Sequence, residues 1–228
     1  MLEQLVARVS PGRVSAQGLT PELDQELMYR LMNLPPAALD FEDYKLPAYQ
    51  YFCSENDDVA FSRSFVTEAE SCQTNFIVGK TDDLKRFRDN PALFNFIAGA
   101  HGLFHDEDRF FPDLPELDFS AGQSQFMPVF EDDQAEQLAQ ATLAAIENYG
   151  QVAVFGVRHP FRFLIPALDL MDVEQRLSLK YSVNSAYLPK TEVFNLMVFP
   201  TMSSAVLNRL DEAKIKTLSI KQLKLVGG

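Results

Sequence analysis

Residues 177 to 187 can be placed comfortably only in a sheet with one wet face. Leu177, Leu179, Tyr181, Val183, Ser185 and Tyr187 alternate with Ser178, Lys180, Ser182, Asn184 and Ala186. A period of two sends the first set to one face and the second to the other. An apolar run at 193–199 follows across Leu188-Pro189-Lys190-Thr191, a connection of hairpin length, so the two runs are expected to pair antiparallel.

Ahead of that sheet the apolar spacing is closer to 3.6. A short apolar helix is expected at 2–9, then a loop at 10–18 carrying Pro11, Gly12 and Gly18. Thr20 and Pro21 suit the cap and first turn of a helix striped by Leu23, Leu27, Met28 and Leu31, which stops before Pro35 and Pro36. Asn56 or Asp57 is expected to cap another, with Phe61, Phe65, Ala69 and Cys72 on one side. Residues 76–78 suit a short strand, and Thr81 a turn or two bearing Leu84 and Phe87. Asn90-Pro91 then opens a helix with Leu93, Phe94, Ile97 and Phe104 inward, although Gly99 and Gly102 each cost it about 1 kcal/mol relative to Ala.

The strongest helix signal spans 132–149, with Ala135, Leu138, Thr142, Ala145, Ile146 and Tyr149 on one side and Gly150 as a stop. Residues 152–157 read as a buried strand, 161–165 as a second, 203–214 as a last helix, and 215–226 as an edge strand or docking arm. The fold expected is α+β: a helix-rich N-terminal two-thirds packed on a small, mostly antiparallel sheet in the C-terminal third, in a single globular domain over 1–228. A parallel contribution from 152–157 is also compatible.

Composition bounds the function. With 46% hydrophobic residues, nineteen Phe and no Trp, the rings are expected mainly in a core. A net charge of -12 argues against binding to nucleic-acid backbones or anionic membrane surfaces, which need clustered Lys and Arg. No apolar run reaches the roughly 18 residues of a membrane span. Glu3, Gln4 and Arg8 interrupt what would be a secretory signal. With Cys53 and Cys72 as two thiols, a reducing, cytoplasmic address is expected.

Two segments stand apart in charge. Residues 105–131 form a long acidic loop carrying Phe110, Phe111, Phe119 and Phe126, rings that either fold back on the body or meet a partner. From Lys190 onward, six bases face three acids, so residues 1–189 carry -15. Lys216, Lys221 and Lys224 in the basic tail (214–228) could lie on an acidic neighbour or simply guard an edge strand.

Catalytic signatures are sparse. His101 and His105, one helical turn apart, with Asp106 or Asp108 and with His159 after a strand, could hold a divalent metal for a hydrolase. Gly99 and Gly102 weaken the helix that would align them, and solvated side chains at a helix end explain the cluster equally well. Val78-Gly79-Lys80-Thr81 ends like a phosphate-binding loop, but Thr74 stands where a glycine is needed and Asp82 and Asp83 would repel an anion. Arg158 and Arg162 could bind an anion or pair with Asp169 or Asp172. The reading these features favour is a non-enzymatic protein-interaction or assembly component, without cofactor, that binds a protein partner or itself. The alternatives are the metal-dependent hydrolase and an acidic mimic of nucleic acid that occupies a DNA-binding partner.

Overall fold

The computed structural model describes residues 3–10, 13–17, 47–66, 72–100, 103–104, 130, 132–184, 194–201 and 204–219, the first two segments as backbone. Nine described strands form one sheet: β1 (Glu3–Ser10), β2 (Arg13–Gln17), β3 (Ala48–Cys53), β4 (Asp58–Val66), β5 (Cys72–Lys80), β6 (Val152–Phe155), β7 (Tyr181–Val183), β8 (Leu196–Phe199) and β9 (Lys216–Ser219). Their order across the sheet is β2-β1-β5-β4-β3-β7-β8-β6-β9. Every pairing from β2 to β7 is antiparallel, and every pairing from β7 to β9 is parallel.

This overturns the expected small antiparallel sheet in the C-terminal third. The antiparallel half is built from the N-terminal and middle parts of the chain, and the C-terminal strands are the parallel ones. Glu3–Ser10 and Arg13–Gln17 are strands where a helix over 2–9 and a loop over 10–18 were expected. The helix expected from Phe61 to Cys72 is instead β4 followed by the start of β5. Intervals of four and eight residues repeat on one face of a strand as well as on one side of a helix. What decides is the alternation itself: Val59 and Phe61 enter one core cluster while Ala60, between them, enters another. The Thr20 helix lies outside the described residues.

Five helices and one 3-10 helix (Thr81–Phe87) accompany the sheet among the described residues: α1 (Pro91–Ala100), α2 (Asp133–Tyr149), α3 (Pro160–Asp169), α4 (Val173–Ser178) and α5 (Ser204–Glu212). α1 starts where expected, because the Asn90 side chain accepts the amides of Ala92 and Leu93, each at 3.1 Å. The strand expected at 161–165 is the first half of α3, entered through Pro160 in its first turn. The alternating run from Leu177 is cut by α4, which Asp172 caps by accepting the Gln175 amide at 2.8 Å. Among the described residues of the run only Tyr181–Val183 forms a strand, and it pairs parallel to β8 rather than as a hairpin.

The core lies in two layers on opposite faces of the sheet. Tyr51, Phe61, Ile77, Val152, Val154, Tyr181, Val183 and Val198 face α1, α2 and α3. Phe52, Val78, Ala153, Phe155, Met197 and Phe199 face Val206 and Leu210 of α5. Connection rules explain the split. From β6, the chain passes through α3 and α4 to β7 on one side, and from β8 through α5 to β9 on the other. Right-handed crossovers that travel in opposite directions place their helices on opposite faces.

Polar groups inside the helical layer are tied to backbone. Tyr51 Oη donates to Leu177 O at 2.6 Å, and Tyr181 Oη to Pro91 O at 3.0 Å. Asn95 Nδ2 reaches Gln50 O at 3.2 Å. Burial pushes the pKa of both tyrosines up, Tyr51 further by its neighbours Cys53 and Tyr181.

Candidate functional site

Two surfaces follow from this topology, at opposite ends of the parallel strands. At the carboxyl end, the connections leaving β6 and β8 diverge to different faces, which opens the crevice where α/β sheets commonly bind ligands. Arg158, His159 and Arg162 lie there, all exposed, at the turn from β6 into α3. His159 occupies the cap position of α3 without a side-chain hydrogen bond to the helix. Phe161, beside them, packs its ring 5.1 Å from that of Tyr49 on β3.

At this same end the antiparallel half of the sheet turns polar. Gln50, Ser62 and Ser182 stand side by side on β3, β4 and β7, with Ser64 and Thr74 one step further along. All five are buried. Ser62 Oγ donates to Gln50 Oε1 at 3.2 Å, and the Ser64 and Thr74 hydroxyls meet at 2.9 Å. Mutual hydrogen bonding is what lets a polar row stay buried.

The amino end carries a different surface, on the helical face. A groove of about 270 Å³ runs between α2 and the α3–α4 corner, lined by Leu143, Ile146 and Glu147 of α2 and by Leu170, Met171, Gln175, Ser178, Leu179 and Asn195. Its rim is unusual. Three large apolar side chains are exposed among the described residues, Tyr149 (64%), Leu170 (49%) and Val173 (45%). Of these Leu170 lines the groove; Val173 lies three positions further on at the start of α4, and the Tyr149 ring, at the end of α2, meets Lys216 of β9 instead.

The corner that presents Leu170 is held rigidly from below. Asp169 Oδ1 accepts from Asn90 Nδ2 at 2.6 Å and from Arg176 Nη1 at 2.9 Å, and Arg88 approaches its other oxygen at 3.5 Å. Arg176 also donates to the carbonyls of Arg88 and Met171. The acid offered by sequence as a partner for Arg158 or Arg162 is therefore committed to other bases, while Asp172 caps α4.

Of the residues singled out in the sequence, the structure brings Arg158, His159 and Arg162 together at one edge. Lys216 starts β9 at the other end of the parallel strands, its Nζ 5.9 Å from the centroid of the Tyr149 ring. His101, His105, Asp106 and Asp108 lie outside the described residues, as do Phe110, Phe111, Phe119, Phe126, Lys221 and Lys224. Among the described residues no group of His, Cys, Asp and Glu is placed to hold a metal, and no helix is long and apolar enough to cross a membrane. Lys80, the candidate phosphate-loop lysine, forms an ion pair with Asp58 and donates to Asn56 O at 3.2 Å. Cys53 Sγ lies 3.3 Å from Ser178 O at the end of β3. Cys72 opens β5 rather than sitting on a helix, and its side chain lies outside the described residues.

Sequence reasoning missed the groove. It assigned Tyr149 to the inner side of its helix and passed over Leu170 and Met171. Their placement between Asp169 and Asp172 marks a turn between helices, but nothing in the spacing says which of them stays in water. No protein-family model matches the chain, and no curated protein matches it in sequence.

Proposed function

We propose that this chain is a non-enzymatic protein-interaction or assembly component that takes an apolar side chain of a protein partner into the groove between α2 and the α3–α4 corner. The observation that supports this is the exposure of Leu170, a large apolar side chain on the groove's wall, beside the lining residues Met171, Ile146 and Leu143. Scattered apolar side chains on a surface need no explanation, whereas large ones gathered around a concavity mark a contact site.

Lined on one wall by helix α2, the groove suits one or two anchoring side chains of a larger partner, the arrangement by which an amphipathic segment docks on a helical surface.

Affinity capture from an extract of the source cells tests the proposal, with Leu170→Asp compared against Arg209→Ala, a change on α5 at the opposite face. The proposal expects a protein retained by the unaltered chain and by Arg209→Ala but lost from Leu170→Asp. Identical profiles for all three, with the chain sedimenting alone, would contradict it.

A further inference from the structure

We infer that the segment seated in this groove is basic as well as apolar: a helix or loop of a protein partner that carries Lys or Arg beside its anchoring side chain. This rests on the groove being the contact site, and it adds the chemistry of the partner.

The charges around the groove carry the argument. Glu147 is its single ionisable lining residue, and it is exposed. Asp172 and Glu174, both exposed, stand at the start of α4 beside the lining residues Met171 and Gln175. The base nearest to them in sequence, Arg176, is turned into the Asp169 clamp with its side chain only 11% exposed, so it balances Asp169 rather than these acids. Lys180, next to the lining residue Leu179, is the other base adjoining the groove in sequence.

The groove's mixed lining thus holds one exposed carboxylate, Glu147, and no base, with Asp172 and Glu174 adjoining its lining residues in sequence. An acidic segment would meet like charge there, whereas a Lys or Arg beside the anchor would be paired on arrival. Charges on an exposed rim act mainly by selecting and steering a partner while apolar contact supplies affinity.

Fluorescence anisotropy on the full chain tests the inference with two labelled amphipathic peptides of about 14 residues, long enough to form helix. One has Leu and Lys; the other has Glu in place of every Lys. The Leu/Lys peptide is expected to bind at least about tenfold more tightly. Replacing Glu147→Gln together with Glu174→Gln should shrink that preference by about threefold or more. Glu212→Gln on α5, an exposed acid on the opposite face, should leave it unchanged. Equal binding of the two peptides, or an equal loss with Glu212→Gln, overturns the inference. Leu170→Ala separates the two levels. If both peptides bind equally but weaken with Leu170→Ala, the groove stands and its preference for base falls; if neither peptide binds, or neither responds to Leu170→Ala, the groove itself falls.

Discussion

Tyr51 and Tyr181 stack at 5.6 Å between ring centroids in the layer that joins the antiparallel half of the sheet to α1. Their hydroxyls are hydrogen-bonded to backbone carbonyls, so each is needed in its neutral form. The sign of the pH effect follows. An unfolded tyrosine ionises near pH 10, burial raises that value in the folded chain, and the stability from keeping both neutral is full below about pH 10 and is lost as pH rises beyond it. Absorbance at 295 nm should therefore show two of the seven tyrosines resisting ionisation until the protein unfolds; complete titration of the native chain near pH 10 would contradict this. Gly99 is the other residue whose role is local. A Cβ there would lie 2.8 Å from Tyr49 Oη, and the Tyr49 ring is confined by Phe104 and Phe161. Gly99→Ala should gain about 1 kcal/mol of helix propensity but lose about 1–3 to overpacking, for a net fall in stability by urea unfolding.

At the scale of elements, local chemistry was legible and long-range pairing was not. α2 illustrates the first. Asp132 caps it by accepting the Ala135 amide at 2.8 Å, and Gly150, in the left-handed region at φ 74°, closes it by donating to Ile146 O at 2.7 Å. The apolar spacing over 132–149 and the Gly150 stop, both local to the helix, place it where the structure has it. Asp132→Ala should cost about 1 kcal/mol of stability. β4 illustrates the second: what makes 58–66 a strand is its partners β3 and β5, and its own Phe spacing fits a helix equally well. The Asp169 clamp was likewise invisible, because it gathers Asn90, Arg88 and Arg176 from distant positions. Partial burial makes it matter. Asp169→Ala, which strands Asn90 and Arg176, should cost about 2–3 kcal/mol, while Asp82→Ala, which frees Lys85 from a solvent-exposed pair, should leave stability nearly unchanged. Urea denaturation of the two variants checks the contrast.

At the scale of the whole molecule, the mixed sheet gives the parallel strands two unlike end surfaces. The divergence of β6 and β8 places Arg158, His159 and Arg162 at the carboxyl edge, and the return of α3 to the amino edge sets Leu170 against α2. The basic residues could be named from sequence because they follow a recognisable buried strand. The groove could not, since its walls come from α2, the α3–α4 corner and Asn195, and only the parallel order of β7, β8 and β6 brings them together. The interaction role expected from the Phe-rich acidic loop, the basic tail and the scarcity of catalytic motifs is proposed to act through the groove. Site-specific photo-crosslinking measures that location most directly. With a benzoyl-phenylalanine at position 170 and, separately, at position 209, the full chain in its own cells should yield a discrete protein adduct from 170 and none from 209. Matching adducts from both positions, or none from 170, would contradict it.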